Sequence, residues 1–328
     1  MNNPIRAIAL GASFFCASAV PFQLNAQTNY PAKPIRIIVG QNPGTGTDAS
    51  ARSFAQRLTA LLGQPVIIDN KGGAHGFIGG TAAKDAEKDG YTLMIAAGGT
   101  MAVNPGLYGK KMPFDPVKDF EPVGIIEQGP VYLAVSNNLP VKNVKDLVAY
   151  AGANPGKVNY GTGGNGTTSH LAMELLKRST GMQAAHIPYR GSNQVVQDLI
   201  GGQIQTAFDA AIVLIPQAKA GKIRIIGVAS GKRSAALPDV PSVQEQGFPG
   251  FEAKTWSALY APAGTPAPIV QKLNEALNKI VRSDDFREYL KASASEAGGG
   301  TSEDHKKFLA TEIAKWATVI KEANIQPD

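Results

Sequence analysis

The chain has 328 residues and a formal charge of +6, from 32 Lys and Arg against 26 Asp and Glu. The excess is spread along the chain without basic runs, which excludes the basic, aromatic-interleaved stripe that nucleic acid requires. With Cys16 as the only cysteine, a disulfide framework is excluded as well.

Residues 1–26 hold Arg6, an apolar run from Ala7 to Val20, and Leu24-Asn25-Ala26 before Gln27. An aliphatic residue, a spacer and alanine after such a run are read as a signal-peptidase site, and the run is too short to span a bilayer. The expected mature chain is therefore 27–328, exported and free of cysteine. Its formal charge is lowered by one, from +6 to +5, because Arg6 leaves with the signal. No later stretch holds about 18 uninterrupted apolar residues, so no membrane span is expected. Export disfavours nicotinamide chemistry, whose cofactors are not ordinarily free outside the cytoplasm.

Ile35, Ile37, Ile38 and Val39 read as a buried parallel strand, followed by a Gly/Thr turn and a helix over about 47–62 ending at Gly63. A strand that runs through glycines into a helix leaves unpaired amides for an anion. A second strand, 66–69, leads into the glycine loop 71–76 and a helix from Phe77 to about Ala86. A third, 92–96, leads into Ala97-Gly98-Gly99-Thr100. Open α/β sheets bind ligands at this carboxyl edge.

The order recurs further on. A strand over 157–160 precedes the loop Gly161–Thr168, then a helix to about Thr180, then a strand 185–189 ending at Arg190-Gly191-Ser192. Two such halves suggest two lobes across a cleft, with one large doubly wound sheet as the alternative. The runs 119–126 and 131–135 are expected to carry the chain out of lobe one, and 223–229 to carry it back. Helices over 268–282 and 302–323 close the chain, the latter opening on Ser302-Glu303-Asp304.

Gly44, Gly46 and Ala49 also fit G-x-G-x-x-A, with Asp69 where a ribose-binding carboxylate belongs, so a dinucleotide-binding α/β oxidoreductase is the alternative function. Against it, Gln41-Asn42-Pro43 separate the strand from the first glycine. No G-x-S-x-G or H-E-x-x-H occurs, and His75, His170, His186 and His305 lack ligand spacing. Ser192, His186 and Asp198 are the one drawable triad. No enzyme, metal or cofactor is expected.

Several motifs occur in order: Tyr30-Pro31-x-Lys33-Pro34-Ile35-Arg36, Thr47-Asp48-x-x-Ala51-Arg52, Gly90-Tyr91-Thr92-Leu93 and Asn104-Pro105-x-Leu107-Tyr108. Gly164-Asn165-Gly166-Thr167-x-x-His170-Leu171, Pro188-Tyr189-Arg190-Gly191, Asp198-Leu199-x-x-Gly202-Gln203 and Leu237-Pro238-Asp239-Val240-Pro241-Ser242 follow. With Ala261–Pro266 they make the chain resemble the Bug family of extracytoplasmic solute receptors, the substrate-binding components of tripartite tricarboxylate transporters. The resemblance covers essentially all of residues 30–325.

It implies an α/β, two-lobed periplasmic binding protein (type II, Venus-flytrap), each lobe a mostly parallel sheet flanked by helices. Lobe one is expected at 27–125 plus 230–328 and lobe two at 126–229. It further implies a periplasmic monomer that closes on a small organic carboxylate (a di- or tricarboxylate or an aromatic carboxylate) and meets membrane permease subunits. Carried over by residue, lobe one contributes Gly40–Asp48 and Gly98–Thr100, and lobe two Thr162–Thr167, Ser192 and Asp209. The ligand-binding candidates are Gln41, Thr45, Gly46, Thr47, His75, Gly99, Thr100, Thr162, Asn165, Thr167, Ser192 and Asp209.

Each residue type also has a structural alternative. Thr45 and Thr47 offer hydroxyls but suit an N-cap equally. Asp48 suits the helix dipole better than an anion. His75 sits on a glycine loop, whereas His170 reads as structural. Arg190 suits a ligand carboxylate or an ion pair, and Asp209 a distal donor on the ligand. The first loop departs from the family's usual Pro-Phe-Pro-Ala-Gly-Gly-x-Thr-Asp, with amide and hydroxyl groups replacing an aromatic and a glycine. The pocket is expected to be more polar there.

Overall fold

The protein is described by a computed structural model over residues 30–189, 191–292 and 294–327. The expected signal segment 1–26, Cys16 and Arg190 lie outside the described residues. All regular elements belong to the unit Pro31–Asp328.

β1 (Ile35–Val39) lies parallel between β2 (Val66–Asn70) and β3 (Thr92–Ala97). Its four aliphatic residues are fully buried, as a strand covered on both faces requires. Between β1 and β2 runs α1 (Gly46–Leu62), which buries Ala51, Phe54, Ala55 and Leu58 at helical spacing. The Thr45 hydroxyl caps its start, and Gly63 ends it at φ 68, a left-handed conformation that glycine adopts without penalty. α2 (Phe77–Lys84) stops two residues short of the expected end, and α3 (Asn104–Tyr108) follows β3 through a π-type turn.

The two runs expected at 119–126 and 131–135 are one strand, β4 (Phe120–Ser136). Glu127-Gln128-Gly129-Pro130 reads locally as a turn. In the fold it is where β4 leaves one sheet and joins the next, so the missing N–H of Pro130 costs no ladder bond.

Beyond it come α4 (Val144–Ala153), β5 (Asn159–Thr162), α5 (Thr168–Thr180), β6 (Ala185–Pro188), α6 (Ser192–Gly201), β7 (Thr206–Ala210), α7 (Ala211–Lys219) and β8 (Ile223–Val228). β5 is parallel to β6 and β7, while β7 and β8 flank β4 antiparallel. β8 covers the run expected to return the chain to lobe one. Ser242–Gln246 still bonds to β8 and α4, through Val243 N–H to Val228 and Val144 N–H to Gln246 Oε1.

β9 (Lys254–Pro262) then pairs antiparallel with β4 and β3. α8 (Ala267–Val281), α9 (Asp284–Ala292), β10 (Glu296–Gly299) and α10 (Ser302–Glu322) complete the chain. Thr301, one residue before the expected start, forms a reciprocal capping box with Asp304. The first sheet runs β2-β1-β3-β9-β4 with β10 beyond, and the second runs β4-β7-β5-β6 with β8 on the other side of β4. Each sheet is thus parallel through its outer strands and antiparallel where the crossing strands join. The crossings meet at one level: Ala229 N–H donates to Val131 O at 2.9 Å, Ala253 N–H to Ala229 O at 3.1 Å, and Val131 N–H to Ala253 O at 3.2 Å.

Candidate functional site

The loop between β1 and α1 is built around a buried carboxylate. Asp48 accepts from Gly44 N–H at 2.9 Å, Arg52 Nε at 3.0 Å and Asn70 Nδ2 at 2.9 Å. Burial opposes its ionisation, but these three donors outweigh that and hold its pKa below the usual carboxylate value. Asn70 Nδ2 also reaches the Gln41 carbonyl at 3.1 Å. The Thr45 hydroxyl donates to Asn42 O at 3.0 Å and accepts from Asp48 N–H at 3.3 Å, so it is spent on the cap. The Gly46 and Thr47 amides, first in α1, have no acceptor among the described residues. A helix start of this kind carries a partial positive charge.

This arrangement weighs against the dinucleotide alternative. The Gly44 amide that would meet a pyrophosphate is engaged by Asp48, whose charge would repel one. Asp69 faces Arg36 at 3.8 Å and Lys71 at 3.7 Å.

The other two glycine loops of the first sheet lock onto this one. Ala74 and His75 take positive φ of 45 and 58, between Gly73 at 112 and Gly76 at 89. The His75 carbonyl accepts from Asn104 Nδ2 at 3.0 Å and Thr100 Oγ1 at 3.4 Å. A Cβ on Gly76 would lie 2.7 Å from Thr100 Oγ1, and one on Gly40 would lie 3.3 Å from the Gly76 carbonyl. Thr100 is thus buried with its hydroxyl turned inward, whereas the exposed His75 ring lies 4.9 Å from that of Tyr108.

In the second sheet, Thr162 Oγ1 bonds His186 Nε2 at 2.7 Å and accepts from Gly164 N–H at 3.2 Å. The Thr167 hydroxyl caps α5, accepting from His170 N–H at 3.3 Å and donating to Gly164 O at 2.9 Å. The His170 ring stacks on His186 at 4.1 Å, and its Nδ1 accepts from Gly166 N–H at 3.3 Å. Burial first, then the His186 and Lys177 charges, push its pKa down to about 3, so the ring is neutral and can accept. His170 therefore shapes the loop, and His186 supports it from a strand that carried no such expectation.

Thr167→Val is expected to cost about 1 kcal/mol of stability through loss of the α5 cap. A urea midpoint equal to wild type would show that the cap contributes nothing.

Ser192 and Asp209, 17 positions apart in sequence, come together. The Ser192 hydroxyl faces the Asp209 carboxylate, whose Oδ1 accepts from Ala210 N–H at 2.7 Å. Burial pushes Asp209 up to about 6, opposed by these two donors. Gly191 gives α6 no side-chain cap, and the Ser192 and Asn193 amides have no acceptor among the described residues. A Cβ on Gly163 would lie 3.8 Å from the Ser192 amide. The drawable triad does not form, since His186 goes to Thr162 and Asp198 accepts from Tyr189 at 2.6 Å.

The two edges oppose one another. A Cβ on Gly99 would lie 3.5 Å from the Gly166 carbonyl, and one on Gly166 would lie 2.8 Å from Leu107 Cδ2. Asn165, half-buried, belongs to the same loop. Asn104, absent from the candidate residues, joins the second and third loops of the first sheet. Its signal was a buried amide in an otherwise apolar turn.

A family model described as tripartite tricarboxylate transporter family receptor matches residues 50–325. Protein BugT of Bordetella pertussis is 33% identical over 321 residues, covering 98% of each chain. Among solved structures, R. palustris Rpa4515 with adipate superposes with a TM-score of 0.84 at 36% identity, over 91% of this chain and 100% of that one. The periplasmic binding protein BugD gives 0.81 at 32% identity, with the same shares.

Proposed function

The chain belongs to the tripartite tricarboxylate transporter receptor family and has the two-lobed fold of a periplasmic binding protein, and from that premise we propose how it captures its solute. The solute is a small organic carboxylate, held between the lobes without chemistry. The observation that carries this reading is the pairing of two opposed sheet edges, each ending in open helix amides: Gly46 and Thr47 on one side, Ser192 and Asn193 on the other. The adipate held by Rpa4515 belongs to the same ligand class.

The signal segment directs the mature chain to the periplasm, where it acts as a monomer. Lobe one comprises the first sheet with its helices, and lobe two the second sheet. The chain changes lobes near Pro130 in β4 and again just before β9, so residues 230–253 move with lobe two and not with lobe one. The candidate residues contact the ligand partly through backbone. Thr45, Thr100, Thr162 and Thr167 shape the loops with their hydroxyls, leaving Gly46, Thr47, Gly99, Asn165, Ser192 and Asp209 toward the ligand, with Gln41 and His75 at the rim.

Closure removes water from around the ligand, where amide dipoles act more strongly, and ligand binding favours the closed state by its differential affinity. The closed form is what permease subunits would meet. Calorimetric titration with mono-, di- and tricarboxylates is expected to find at least one that binds with a Kd of about 1 μM or tighter. No binding across the panel, with tight NADH binding instead, would overturn the reading.

A further inference from the structure

Asp209 is 6% exposed, and although the Ser192 hydroxyl faces its carboxylate, Oδ2 makes no hydrogen bond of normal geometry among the described residues. Oδ1 takes the Ala210 amide, and Tyr132, beside it on β4, gives its hydroxyl to Ser234 at 2.6 Å. Native folds seldom leave a buried carboxylate oxygen without a donor.

The place of this oxygen in the sheet suggests what supplies the donor. β7 pairs in parallel with β5, with Ala207 beside Gly161, so Asp209 and Gly163 stand level at the edge two residues on. Gly163 in turn abuts the Ser192 amide at the uncapped start of α6. Amides that attract an anion and a carboxylate that repels one therefore lie side by side.

We propose that the lobe-two end of the ligand is a carboxylate bearing a hydroxyl or ammonium donor on the adjacent carbon, which pairs with Asp209 Oδ2. The inference rests on the carboxylate-receptor reading and narrows it. The ligand carboxylate lies on the Ser192 and Asn193 amides, and the neighbouring O–H or N–H turns to Asp209. A plain diacid brings a second negative oxygen toward Asp209 instead.

The test is calorimetric titration of the full mature chain at pH 8 with matched acids of four, five and six carbons. Each set contains the plain diacid, its 2-hydroxy form and its 2-amino form, which separates the two donor sources. In the set whose length fits, a donor-bearing acid is expected to bind about tenfold or more tighter than the plain diacid. In Asp209→Asn that preference should fall below about threefold, with the plain diacid gaining affinity as the repulsion is removed. A plain diacid that binds wild type as tightly as its substituted partners overturns the inference and leaves the carboxylate reading standing. So does a preference that survives in Asp209→Asn. If no acid in any set or in the wider panel binds, the carboxylate reading itself falls.

Discussion

Glu127→Gln is expected to raise the unfolding free energy by about 2–3 kcal/mol at pH 8 and to change it little at pH 4. Glu127 lies on β4 between Ser257 of β9 and Ala297 of β10. The Ser50 hydroxyl bonds its carboxylate, and Ser50 Oγ is itself 3.0 Å from Ser257 Oγ, but Oε2 has no partner among the described residues. Burial pushes this carboxyl up from 4.5 to about 7, with the Ser50 bond pulling the other way. Because the folded pKa is raised, the native state favours the protonated form. The wild type therefore loses stability as pH rises from about 4.5 to about 7 and carries the full penalty above that. Glutamine keeps the shape and the Ser50 bond without the charge, although its own amide group lacks a second partner, which trims the gain. Urea unfolding of both proteins at pH 8 and pH 4 measures the difference. Equal stability at pH 8 would mean that the carboxylate is not penalised by its surroundings.

Gly79→Ala is expected to destabilise the protein by about 2 kcal/mol, lowering Tm by roughly 5 °C, and to weaken ligand binding about tenfold. On helix propensity alone the substitution would stabilise by about 1 kcal/mol. Here the added Cβ would lie 2.6 Å from Gly40 Cα, 3.0 Å from the Lys71 carbonyl and 3.2 Å from Gly40 N. All three are backbone atoms at the start of the first two glycine loops, so relief requires those loops to move. Gly152→Ala on α4 is the control, since its added Cβ meets nothing within 4 Å. That variant should gain about 0.5–1 kcal/mol. A Gly79→Ala protein as stable as the control would show that α2 can back away from β1 without cost.

Much of the framework could be read from local patterns. The aliphatic run of β1, the Thr45 cap and Gly63 stop of α1, and the glycine loops after β1, β2 and β3 stand where the residues predict. These features depend on interactions within a few residues, which adjacent letters encode. β5 lies two residues beyond its expected position, because Gly161 and Thr162 look like loop while their strand pairing to β6 is long-range. β4 was split for the same reason, its Gly129-Pro130 being turn chemistry everywhere except at a change of sheet.

The sequence by itself determined that this is an α/β chain with anion-ready turns at strand ends, because strand and helix periodicity and glycine-led helix starts are short-range properties. Only the tertiary structure decided which groups at those turns remain open. Asp48 claims the Gly44 amide, four threonine hydroxyls turn to protein partners, and Asp209 Oδ2, near Ser192, has no hydrogen bond among the described residues. The physical reason is that a polar group can serve a ligand only after nearby donors and acceptors have taken what they need. Those neighbours are assembled by packing between segments far apart in the chain.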